Sequence, residues 1–135
     1  IAFSQVPDRN KEEAIQAAKT LRLARARHKL TELRESLAKI EVELAEFERK
    51  AAISRLNEKS ALFKQSQFEA IDKSGLGHKE ENIAAIGKLA SRAAGHESTA
   101  LKDEAQATIL KRRADKQRAE VEAQAKTVTD LEGAG

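Results

Sequence analysis

Three histidines, His28, His78 and His96, are the side chains best suited to hold a metal or move a proton near neutral pH. A metal site on a helix needs two ligands three or four positions apart, so that both project from one face. No two of these histidines have that spacing, and the chain contains no Cys to supply a thiolate. No metal site is therefore expected. Gly75-Leu76-Gly77 is Gly-rich, but it lacks the full glycine pattern of a phosphate loop and no strand precedes it. Asp and Glu number 22 in 135 residues. On solvated helix faces they serve solubility and i,i+4 pairing more readily than acid–base catalysis. No catalytic residue and no cofactor is expected, and the chain reads as non-enzymatic.

Two basic clusters could address an anionic partner: Arg22, Arg25, Arg27, His28 and Lys29, and Lys111, Arg112, Arg113, Lys116 and Arg118. Acidic residues surround both and no aromatic residue interleaves with them, so they read as solvated faces and nucleic acid is not expected. The formal charge of +3 demands neither nucleic acid nor an acidic membrane. The segment Phe68 to Lys79 is different. It carries Phe68, Ile71, Ser74, Gly75, Leu76, Gly77, His78 and Lys79 around the strongest break in the chain. Large apolar side chains there have nothing to pack under unless a partner covers them, which points to end-on docking to another protein.

The elements that would carry this tip are helices. Ala, Glu, Lys, Leu and Arg dominate, with one Pro and six Gly, which excludes a turn-rich all-β domain. Without Cys there is no disulfide framework. Residues 1–9 read as a lead-in, with Asp8 or Asn10 as helix cap. Residues 10–132 read as a long antiparallel coiled-coil helical hairpin, an all-α fold with a helix over 10–72, a tip at 73–78 and a helix over 79–131; residues 133–135 read as a frayed tail. Leu23, Ala26, Leu30, Leu33, Leu37, Ile40, Leu44, Phe47 and Ala51 alternate at three and four, the a/d spacing of a coiled coil. Beyond Ala51 the large apolar residues Ile53, Leu56, Phe63, Phe68 and Ile71 fall out of step, so a stutter is expected near residues 51–56. Folding about residues 75–76 would set Leu37 against Ala114, Leu44 against Ala107 and Leu30 against Val121, large side chains facing mostly small ones.

This pattern resembles the helical hairpin domain of the hemolysin D-type periplasmic adaptors, the membrane fusion proteins of bacterial type I secretion. The resemblance covers about residues 1–131. It rests on the lead-in Ile1-Ala2-Phe3 to Pro7 and the run Leu21-Arg22-Leu23-Ala24-Arg25, on the tip from Phe68 to Glu81, and on the second helix through Leu101-Lys102-Asp103-Glu104-Ala105 and Ile109. The Arg-Leu-Ser tip signature of the wider adaptor family is not intact. Gly77 stands where Ser is usual, and Ser66 and Ala70 stand near the Arg and Leu positions. The resemblance implies a periplasmic location, with the parent protein anchored in the inner membrane. It implies a TolC-type outer-membrane channel at the tip, an inner-membrane ABC transporter reached through other parts of the parent chain, and self-association as a hexamer. A start at Ile1 without Met fits a segment of a longer protein. The chain is also similar in outline to the receptor-binding hairpins of nuclease colicins, which carry a Gly-His pair near the tip as in Gly77-His78. A structural coiled-coil spacer is the third class.

Overall fold

The computed structural model describes residues 7–134. Two helices make up nearly all of them: α1, Asp8–Lys73, and α2, Lys79–Ala134. They pack against each other as an all-α helical hairpin, with no strand among the described residues. Residues 1–6 of the expected lead-in, including Ile1-Ala2-Phe3, and Gly135 of the expected tail lie outside the described residues.

The helix ends differ from expectation for local reasons. The Lys11 amide donates to the Pro7 carbonyl at 3.0 Å, so Pro7 occupies the capping position and the helix opens at Asp8, not residue 10. Asp8 is thus a first-turn residue, where its carboxylate meets the positive end of the helix dipole. α1 runs one residue past the expected 72. At the other end Gly133 and Ala134 extend α2 and are not a separate tail. No Pro or Gly interrupts α1. Thr20, Thr31, Thr108 and Thr127 donate their hydroxyls to the carbonyl four residues back, which satisfies them inside a helix.

The packing falls into two units. One comprises residues up to Ile40 together with those from Arg112 onward; the other comprises Glu41–Lys111. In the first, Ala26, Leu30 and Val128 are buried together, and Leu23, Val121, Ala125 and Leu131 pack on them. Leu33, Leu37 and Ile40 are half-buried on the same face. Two glutamines cross the seam one heptad apart: Gln124 donates to the Ala26 carbonyl at 3.0 Å and Gln117 to the Leu33 carbonyl at 3.2 Å. Val121, the residue expected across from Leu30, packs on the cluster that contains Leu30.

In the second unit the seam of α1 continues through Leu44, Phe47, Ala51, Ser54, Glu58, Ala61, Gln65, Phe68 and Asp72, all buried or half-buried. The alternation of three and four never slips, so the expected stutter near residues 51–56 is absent. Ile53, Leu56 and Phe63 each lie two positions past a seam residue, about 200° round the helix at 3.6 residues per turn. They face outward, at 46%, 66% and 65% exposure. Small and polar residues keep the register that the large ones leave. From α2, Leu89, Ala93, Ala100 and Leu110 are buried against this face. Ala100 is 0% exposed, so Ala100→Leu should overpack the seam and cost about 1–3 kcal/mol. A urea titration checks this; an unchanged midpoint would mean the seam can open at that level.

Candidate functional site at the hairpin turn

α1 must end where its last carbonyls lose their partners, and the sequence supplies the device. Gly75 adopts φ +70. The Leu76 amide reaches back to the Ile71 carbonyl and the Gly75 amide to the Asp72 carbonyl, both at 3.1 Å. These are the two bonds of a Schellman termination, with Gly at the left-handed position. The Ser74 hydroxyl donates to the Ala70 carbonyl at 2.8 Å.

The chain then turns through Gly77, again left-handed at φ +72. A Cβ on Gly77 would stand 3.4 Å from both polar atoms of the Asn82 amide and 3.7 Å from Ile71 Cγ2. A side chain there meets both strain and close neighbours. One on Gly75 would meet only the strain, because nothing lies within 4 Å. α2 begins when the Asn82 amide donates to the His78 carbonyl at 2.9 Å. Glu80 and Glu81 occupy its first turn, matching the dipole.

Asn82 ties the turn together. It is 6% exposed, and its Nδ2 donates to the Leu76 carbonyl at 3.0 Å. The backbone of Leu76 is thus fixed at both its N–H and its C=O, while the residue itself is 65% exposed. The turn is a rigid mount that presents one large apolar side chain to solvent.

Of the residues expected at the tip, Leu76, Gly75, Gly77, Ser74, His78 and Lys79 are exposed. Ile71 is 38% exposed. Phe68 is half-buried on the seam column, so it belongs to the packing and not to the exposed apex. Asn82 escaped sequence reading. Its signal was its phase, since it stands four before Ile86 and seven before Leu89 on the apolar column of α2.

Farther from the turn in the same unit, Arg55 crosses to α2. Its Nε and Nη2 donate to the two carboxylate oxygens of Glu104 at 2.8 and 3.0 Å, and its Nη1 to Glu58 at 3.2 Å. The hydrogen bonds from Arg55 hold the Glu104 carboxyl below its usual range, and Glu104 in turn pushes the guanidinium upward. Glu104 therefore ionises more readily in the folded chain than in the unfolded one. The contact stabilises this unit fully above the ordinary carboxylate value of 4.5 and is lost as pH falls through the lower folded value. Urea midpoints should drop more between about pH 5 and pH 3 for the native chain than for Glu104→Gln. Equal drops would show that other carboxylates govern acid unfolding.

The basic clusters are partly neutralised within the chain. Arg27 pairs with Glu132 at 3.0 Å, His28 meets Glu32 at 2.9 Å and Arg118 pairs with Asp115 at 3.0 Å. Among the described residues no group of three or more His, Asp or Glu side chains could hold a metal. Among the described residues no helix is long and apolar enough to cross a membrane. No protein-family model, no curated protein and no solved structure matches this chain.

Proposed function

We propose that the hairpin is a docking module that engages another protein end-on through its turn. One observation carries the reading: Leu76 is held at both backbone polar groups yet exposed at the apex. A rigid apolar residue at the end of a charged helix pair loses little conformational entropy when a partner covers it. Within this reading the specific role is that of a periplasmic adaptor hairpin, with a TolC-type outer-membrane channel as the protein at the turn. The resemblance of the Phe68–Glu81 segment supports that role. The ABC transporter of such a system would be met by other parts of the parent protein.

The test places a photo-cross-linking residue at Leu76 in the parent protein and, as control, at Arg112. Capture of an outer-membrane channel from position 76 alone is the expected result. Capture of an outer-membrane receptor from position 76 would favour the colicin-like role, which the Gly77-His78 pair also fits. Cross-links from Arg112 but not from position 76 would overturn end-on docking.

A further inference from the structure

We propose that Lys64, Arg92 and His96 form a binding site for a phosphate-class oxyanion, separate from the docking turn and independent of that reading. Within the second unit, Asn57, Ser60, Ala61 and Lys64 of α1 and Leu89, Arg92 and His96 of α2 line one groove of about 190 Å³. This is the volume of roughly six waters at about 30 Å³ each, room for one tetrahedral anion and part of its hydration.

The charges in this groove are the anomaly. Four other grooves along the hairpin set a carboxylate among their cations: Glu120 with Lys29, Asp72 with Lys79, Glu48 and Glu104 with Arg55, and Glu132 with Arg27 and Arg34. Here no carboxylate lines the groove. Positions three and four away from Lys64, Arg92 and His96 on their own helices include no Asp or Glu, and one of them, Lys88, adds a further cation. Glu58, the nearest acid on the α1 seam, is engaged by Arg55 at 3.2 Å. Two like charges on one groove of a helix pair destabilise it unless something neutralises them.

The donors match a phosphate better than a carboxylate. Arg92 offers a planar fork, Lys64 a mobile ammonium, and Asn57, Ser60 and His96 further N–H and O–H donors. A phosphate group brings three strong acceptor oxygens and more than one negative charge. Its source is either free inorganic phosphate or the phosphomonoester headgroup of a lipid.

The test is an NMR titration of the full chain with inorganic phosphate, against chloride at equal ionic strength. A parallel arm measures co-sedimentation with phosphatidylcholine vesicles, with and without phosphatidic acid. Saturable shifts of the Arg92 and His96 side chains are expected from inorganic phosphate if the free anion suffices. Co-sedimentation only with phosphatidic acid vesicles would assign the lipid source. Lys64→Glu, which places a carboxylate in the groove that Arg92 also lines, should weaken either interaction at least tenfold. The same variant should raise the thermal midpoint in phosphate-free buffer, so the readout does not depend on a damaged fold. The proposal is overturned if neither phosphate nor phosphatidic acid gives a saturable response, if Lys64→Glu binds as the native chain does, or if that variant lowers the thermal midpoint.

Discussion

Leu76→Asp should abolish capture of the partner at the turn while leaving the hairpin as stable as before. The side chain is 65% exposed, and both hydrogen bonds that fix this residue come from its backbone. Folding stability should therefore change by less than about 0.5 kcal/mol. In the docked state the same carboxylate would be desolvated without a counter-charge. A buried apolar anchor at the centre of a small contact is worth about 2–4 kcal/mol, roughly 30- to 1,000-fold in affinity. Gly77→Ala provides the contrast. It forces a side chain into a left-handed φ, costing about 1–2 kcal/mol, and presses a Cβ toward the Asn82 amide. Stability and docking should fall together in that variant. Cross-linking yield from the turn, read beside thermal unfolding, separates the two. Undiminished capture by Leu76→Asp would remove Leu76 from the interface and end the docking proposal.

The hairpin was legible because its signals are collective. Nine seam residues from Leu23 to Ala51 share one spacing, and no single exception could hide it. The turn was legible because Gly75 and Gly77 stand close together after a long stretch without Pro or Gly, whereas Gly87 and Gly95 stand singly inside α2. What stayed hidden was the seam beyond Ala51. There hydrophobicity and register part company: Ser54, Glu58, Gln65 and Asp72 hold the columns, while Ile53, Leu56 and Phe63 lie outside. A pattern read from large apolar residues follows the side chains that stand out and slips with them. The backbone follows the cheaper course, an unbroken α-helix with its columns in place, and accepts exposed apolar surface as the cost.

Asn82 and the groove at Lys64 were hidden for a related reason. Each is defined by what lies across the hairpin, and the pairing depends on where the chain folds. A fold-back point misplaced by one residue shifts every cross-helix partner by two positions. Leu76 is level with Asn82 only through the turn itself. Lys64 and Arg92 line one groove only once the two helices lie side by side.

Identical leucines should accordingly differ widely in their worth. Leu30 is 7% exposed and packs with Ala26 and Val128, so Leu30→Ala removes buried methyl groups and leaves a gap between two helices. A cost on the order of 2–3 kcal/mol is expected, below the upper end for a globular core because a two-helix seam stays partly wet. Leu37→Ala and Leu44→Ala, half-buried on the same columns, should cost somewhat less. Leu56 is 66% exposed on the opposite face. Leu56→Ala removes an already hydrated side chain and keeps a strong helix former, so it should cost under about 0.5 kcal/mol. Denaturant midpoints of the four variants order them directly. If Leu56→Ala proved as damaging as Leu30→Ala, the seam would have to pass through Leu56. The stutter near residues 51–56 would then be real, and Ser54 and Glu58 would lie outside.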